Sequence, residues 1–240
     1  METGIYVALS SQMAAEKRLA SLADNVANVN TVGFRETQIR FGELVDRKPA
    51  IDVSFVHPVE GALSGQQGAI DLTGNDLDFA INGEGWFQVH TPAGNAVTRD
   101  GRFSIGTDGI LSTVEGYPVL DQGESPVQIS RANGPVHADA GGILYQNNTI
   151  IGSIGVFDAP TPQENSRVAG LAILPQSAAT AAVDRTDFSV QQGFVERSNV
   201  NAVKQITTLI SVQRNFEEVS GLMQQSEASV SELIRMLGGK

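Results

Sequence analysis

With 41% hydrophobic and 18% charged residues, a chain of 240 residues has the composition of an ordinary globular protein of one or two compact units, which argues against wholesale disorder. Its net charge of −11, from 16 Lys+Arg against 27 Asp+Glu, and the lack of a basic stripe interleaved with aromatics argue against nucleic acid as a partner. The absence of cysteine excludes disulfides and thiolate metal sites, and no apolar run approaches the roughly 20 residues that span a bilayer.

Residues 4–29 read as the first helix: Ala-rich, without internal Pro or Gly, and apolar at helical spacing. Ile5, Ala8, Gln12, Ala15, Leu19, Leu22 and Val26 alternate steps of three and four, the repeat that makes helices wind around one another. The helix is expected to stop at Asn28-Val29-Asn30-Thr31-Val32-Gly33, where Asn and Gly tolerate the left-handed conformation. A cleavable secretory signal is not expected, because Lys17 and Arg18 follow the short apolar patch Ile5–Leu9 instead of preceding it. The sequence therefore reads as cytosolic, or as exported by a route that removes no leader.

Residues 34–68 hold Pro49, Pro58, Gly61, Gly65 and Gly68 and read as a turn-rich hinge without assigned structure. Residues 69–190 read as β. Short runs such as Trp86–His90, Arg102–Ile105 and Ile150–Asp158 are separated by turn pairs, Asp100-Gly101 and Asp108-Gly109 foremost, which predicts a compact antiparallel sandwich or barrel. Ser177 to Val183 is small and Ala-rich, an extended return path.

A second, longer helix is predicted from the caps Ser198-Asn199 to Gly238-Gly239. Its seam runs Phe216, Val219, Met223, Ser226, Val230, Leu233, Leu237, and an earlier repeat, Val203-Ile206-Ile210-Gln213, joins it through a three-residue step that would overwind the seam locally. At about 1.5 Å per residue this helix is roughly 58 Å long and the first about 39 Å. A radius of gyration of about 18 Å for this chain length leaves no room for either inside a compact body. The predicted fold is α+β: a central all-β antiparallel domain whose N- and C-terminal helices form a coiled-coil-like stalk. Four segments follow: 1–35, first helix and Asn/Gly motif; 36–68, hinge; 69–192, β domain; 193–240, long helix. Both seams could instead close on each other as one internal hairpin.

Chemistry is poorly supplied. Asp76, Asp78, Asp100 and Asp108 could suggest a calcium site or an acid–base pair, but Asp-Gly is first a turn and no EF-hand spacing is present. His57, His90 and His137 lack zinc-ligand spacing, and Asn82-Gly83-Glu84-Gly85 lacks the third glycine of a dinucleotide loop. No catalytic, cofactor or metal site is expected.

Ala23–Arg35, an Asn-rich helix end followed by Thr31-Val32-Gly33-Phe34-Arg35, closely resembles the N-terminal signature of the bacterial flagellar rod and hook proteins. Gln192–Asn201 is similar to that family's lead-in to its C-terminal helix, and Gln213-Arg214-Asn215-Phe216-Glu217 to the pattern inside it. Asp76–Phe87 and Thr98–Phe103 are similar to its central β segments. Asp24 stands where Asn is common, and Val195 and Phe216 replace frequent Leu and Tyr. The opening and ending are nearest to proximal-rod members, with distal-rod members next.

The resemblance implies a structural subunit of the basal-body rod, located in the periplasm and exported through the flagellar type III apparatus. It would assemble with itself and other rod proteins into a helical oligomer, without a cofactor, nucleic acid or membrane insertion. Its subunit interface is expected at Ile5, Leu19, Leu22, Asn25, Val26, Asn28, Thr31, Gly33 and Phe34 from the first segment. From the last it is expected at Asn199, Val200, Ile206, Ile210, Gln213, Arg214, Phe216, Met223 and Leu233. Two alternatives stay open here: Phe34 as an anchor in a neighbour or as a core residue, and Arg214 in the seam or on a solvated face. A stalked β-domain adhesin is the competing function, against which the single Trp86 and 6% aromatics argue.

Overall fold

The computed structural model describes residues 2–48, 51–159, 167–168, 170–175, 177–182, 185 and 187–238. For residues 2–7, 40–48 and 51–60, and for several positions beyond 225, the backbone alone is described. The chain divides into two compact units, Met1–Ala27 with Gln38–Gly61 and Asn201–Lys240, and Asn28–Thr37 with Ala62–Val200. Among the described residues the fold is α+β, with two α-helices and a mostly antiparallel β unit.

The first unit holds helix α1 (Glu2–Ala27), helix α2 (Ala202–Gly238) and most of a two-stranded sheet, β1 (Thr37–Lys48) with β2 (Ile51–Leu63). The two helices pack against each other. The sheet occupies the segment expected to be an unstructured hinge. Its Pro and Gly residues mask a period-2 alternation, Ile39-Phe41 and Ile51-Val53-Phe55, that suits paired strands. Helix α2 begins later than Ser198-Asn199: the Asn201 side-chain carbonyl accepts the Lys204 amide at 3.0 Å, making Asn201 the N-cap. No described helix is long and apolar enough to cross a membrane.

The second unit is built from short strands, as the turn spacing predicts. Six of them form one sheet, in the order β13 (Arg167–Val168), β14 (Ala172–Ile173), β6 (Gly94–Thr98), β5 (Trp86–Thr91), β12 (Val156–Asp158), β15 (Thr180–Ala181). The Asp108-Gly109 turn closes the hairpin of β7 (Phe103–Ile105) and β8 (Leu111–Thr113), with Gly109 at φ +80. A three-stranded sheet carries β9 (His137–Ala138), β10 (Ile143–Gln146) and β11 (Thr149–Ser153).

Phe79, Ile81, Phe87, Val89, Phe103, Leu111, Val119 and Leu144 form the main core, where the Phe87 ring meets the Phe103 ring edge-on at 5.3 Å. Asp100-Gly101 is no hairpin tip. A Cβ at Gly101 would lie 1.7 Å from the Phe79 carbonyl oxygen, so glycine lets two backbones touch there.

Two strand pairs close this unit across the chain. Strand β16 (Phe188–Gln192) pairs antiparallel with β4 (Phe79–Gly83), and β17 (Phe194–Glu196) with β3 (Ile70–Leu72). The residues just before α2 are thereby locked to strands from the first third of the chain.

Candidate assembly surface and buried junction

The Asn/Gly motif after α1 builds a turn. The Thr31 amide donates to the Asn28 carbonyl and the Thr31 hydroxyl to the Asn28 side chain at 3.2 Å. Gly33 then adopts φ +72, and its amide donates to the Glu196 carbonyl at 2.7 Å. A Cβ there would lie 2.3 Å from the Asp100 backbone nitrogen, so this turn needs glycine both for its φ and for its space.

Phe34 is buried, with the Arg167 guanidinium 4.3 Å above its ring. Phe34 is thus covered by its own chain. Asn199, in the lead-in to α2, accepts the Glu36 amide at 2.7 Å and donates to the Gln66 carbonyl at 2.7 Å. The segment after α1 and the segment before α2 are thus stitched together within the β unit.

At the centre of the junction is an ion triad. Glu196 on β17, only 1% exposed, accepts Arg35 Nη2 on one carboxylate oxygen and Arg99 Nη1 on the other, each at 2.8 Å. The oxygen facing Arg35 also accepts the Gly68 amide at 3.1 Å. Arg35 donates further to the Gly65 carbonyl, and Arg99 to those of Ile81 and Gly83. Both guanidiniums lie over the Trp86 ring, at 5.7 and 5.5 Å. Burial pushes both below the ordinary arginine range, Arg99 to about 10, while the Glu196 carboxylate opposes that shift.

In the first unit, the face of α2 turned to α1 follows the expected seam from Phe216 onward and departs from the earlier repeat, Val203-Ile206-Ile210-Gln213. Gln205 and Val212 are buried, with Leu209, Phe216, Val219 and Met223 half-buried. These positions alternate steps of four and three without interruption and continue in register to Ser226, Val230, Leu233 and Leu237. No three-residue step and no overwinding are needed. Val203, at 76% exposure, and Ile206 and Ile210, at 45% each, lie on a second, open stripe.

On α1 the buried positions are Ala14, Ser21, Leu22 and Asn25; Leu22 lies in the expected seam, and Ala14, Ser21 and Asn25 each lie one residue before its Ala15, Leu22 and Val26. Small side chains face inward because they let two helices approach closely. A groove of about 270 Å³ lies between Ser11, Ala14, Ala15 and Arg18 on α1 and Val212, Phe216 and Val219 on α2.

The expected interface residues therefore fall into distinct groups. Leu22, Asn25, Gly33, Phe34 and Val200 are buried in their own chain. Leu19, Val26, Asn28, Thr31, Asn199, Phe216 and Met223 are half-buried, and Ile206, Ile210, Gln213 and Arg214 are exposed. The side chains of Ile5 and Leu233 lie outside the described residues. Sequence reasoning missed Glu196, Trp86 and Arg167, which sit in strands, and Arg99 just after β6; strand pairing brings these distant segments together.

The aspartates serve turns and pairs. Asp78 accepts from Thr73 and Asn75, Asp100 from the Arg102 guanidinium, and Asp108 from the Ile110 amide. Among the described residues no three His, Cys, Asp or Glu side chains cluster as metal ligands.

Three family models match the chain in order. The one described as flagella basal body rod protein covers residues 5–35, the flagellar hook protein FlgE/F/G D1 domain residues 80–150, and the flagellar basal body rod FlgEFG protein C-terminal residues 191–236. The flagellar basal-body rod protein FlgF of Mesorhizobium japonicum is 47% identical over 240 residues, covering 100% of both chains. FlgF of Rhizobium meliloti is 46% identical over 100% of this chain and 99% of its own. The rod protein FlgG of Bacillus subtilis is 27% identical over 98% of this chain and 99% of its own.

Proposed function

The chain belongs to the flagellar basal-body rod protein family, and we propose that it works as a FlgF-like structural subunit of the rod, assembling with other rod proteins. The observation that carries this reading is a likeness to rod proteins that runs from end to end, through both helices and the β unit. A binding module on a stalk would be expected to share one part with them and not the others.

The mechanism is mechanical. A shaft must resist bending and twisting, and helices packed side by side at the density of a protein interior do so because few voids remain to collapse. The pairing of α1 with α2 buries one stripe of each helix and leaves Val203, Ile206 and Ile210 for neighbours. A contact between that stripe and a different face of the next subunit does not close on itself, and repetition of such a contact builds a helical polymer. In this reading the helices form a coiled-coil-like stalk in the axial wall. Gln213 and Arg214 flank the open stripe on α2, while Leu19, Val26, Phe216, Met223, Ile5 and Leu233 belong to the helix seams that shape the stalk. The subunit reaches the periplasm through the flagellar export apparatus and performs no catalysis.

Electron microscopy of basal bodies from a strain lacking the gene tests this directly. Rods missing beyond the inner membrane are expected, and rods of normal length in that strain would overturn it.

A further inference from the structure

Glu196 stands where chain segments far apart in sequence converge: Arg35 just after α1, Gly68 after β2, Arg99 after β6, and its own strand β17 just before α2. It meets two cations with one carboxylate, and the buried Nε atoms of both Arg35 and Arg99 have no hydrogen-bond partner. A buried ion group with surplus positive charge is a poor way to gain stability, since desolvating the ions offsets much of their attraction. It does fix geometry, because every carboxylate lone pair in use points at one specified donor. The backbone repeats the pattern: Gly33 donates to the Glu196 carbonyl, and the Arg197 amide to that of Ala69 at 2.8 Å.

We propose that Glu196 is a positioning residue for assembly: by holding Arg35 and Arg99 together, it clamps the segment leaving α1 to the segment entering α2 as one cooperative element. The β core has supports of its own, its strands pairing through their own backbones around Phe87, Val89 and Leu111. The clamp is therefore a local unit that can open while the core stays folded. This deepens the proposed function and rests on it only for the assembly readout.

The test compares E196Q with R99Q in the full chain by amide exchange, using Trp86, the single tryptophan, as an optical probe of the node. In E196Q the new amide nitrogen would point a donor at a guanidinium and leave two buried cations without an anion. In R99Q a neutral Arg35–Glu196 pair survives. E196Q is expected to lower protection of the Gly33, Gly68 and Arg197 amides by about a hundredfold or more, as stranding a buried charge does. It should shift Trp86 emission, and the Val119 and Val127 amides should stay more protected than the three junction amides. R99Q should change the junction amides by less than about tenfold.

Wild-type-like exchange in E196Q, or R99Q as damaging as E196Q, overturns the clamp. Should E196Q fail to fold, native-state exchange of the wild type at low urea decides instead. The three junction amides opening together, below the core, supports the clamp, and unrelated openings refute it. A folded E196Q with an open junction that still enters basal bodies at wild-type levels overturns the role in assembly while leaving the rod-subunit reading intact.

Discussion

The Gly33 amide and the Glu196 carbonyl, 2.7 Å apart, join the end of the N-terminal motif to the strand that leads into the last helix. The bond forms only because Gly33 takes φ +72 and presents no side chain to the Asp100 backbone. Gly33→Ala is expected to cost about 2–4 kcal/mol, the left-handed penalty plus the cost of overpacking against main chain. Urea unfolding of the β unit should show a lower midpoint at unchanged slope, and an unchanged midpoint would contradict the geometry.

The helix pair makes a prediction by contrast. Val212 is 6% exposed and lies in the seam, whereas Ile210 lies on the open stripe. Val212→Ala should destabilise the first unit by about 2 kcal/mol, the transfer energy of two methylene-sized groups. Ile210→Ser should stay within about 0.5 kcal/mol. Circular dichroism at 222 nm during thermal unfolding distinguishes them, and the reverse order would restore the interrupted seam.

Phe34 belongs to the core of the β unit. Phe34→Ala is expected to cost about 3–5 kcal/mol in the free chain. Removing the cation above its ring with Arg167→Gln should cost more than the roughly 0.5–2 kcal/mol of the cation–π contact alone, because Arg167 also donates to the Arg35 carbonyl at 2.9 Å. A Phe34→Ala chain as stable as wild type would return Phe34 to the role of an anchor in a neighbour.

The triad sets a pH dependence. Burial first, with Glu196 opposing it, brings the Arg99 guanidinium down to about 10, below its value in the unfolded chain. Between those values the unfolded state binds more protons, so this group makes stability rise with pH. Its contribution is fully present above the ordinary arginine value and lost as pH falls through about 10. Wild type should therefore gain stability relative to R99Q between pH 9 and pH 11 in chemical denaturation. A constant or shrinking difference would contradict the burial-driven shift.

Much of this was legible in the sequence. Both helices, the short antiparallel strands and the Asp108-Gly109 hairpin follow from spacing and turn chemistry alone. Only the first turns of α2 differ from the expected seam: Val203, Ile206 and Ile210 are more apolar than Gln205, Leu209 and Val212 taken together, and hydrophobicity alone selects the wrong face there. The structure turns Gln205 inward instead. The β1–β2 pair was hidden by Gly42, Pro58 and Gly61, which sit within the two strands. The triad could not be read at all: a lone Arg35, Arg99 and Glu196 become partners only through the pairing of β17 with β3, a long-range register that no local pattern announces.

The central claim is that the open stripe on α2 joins one subunit to the next. The measurement closest to it is electron cryo-microscopy of basal bodies from cells whose only copy carries Ile206→Asp and Ile210→Asp, with the purified variant confirmed to be folded. Basal bodies with rods absent or cut short are expected, with the variant missing from them. Rods of normal length that contain the folded variant would contradict it.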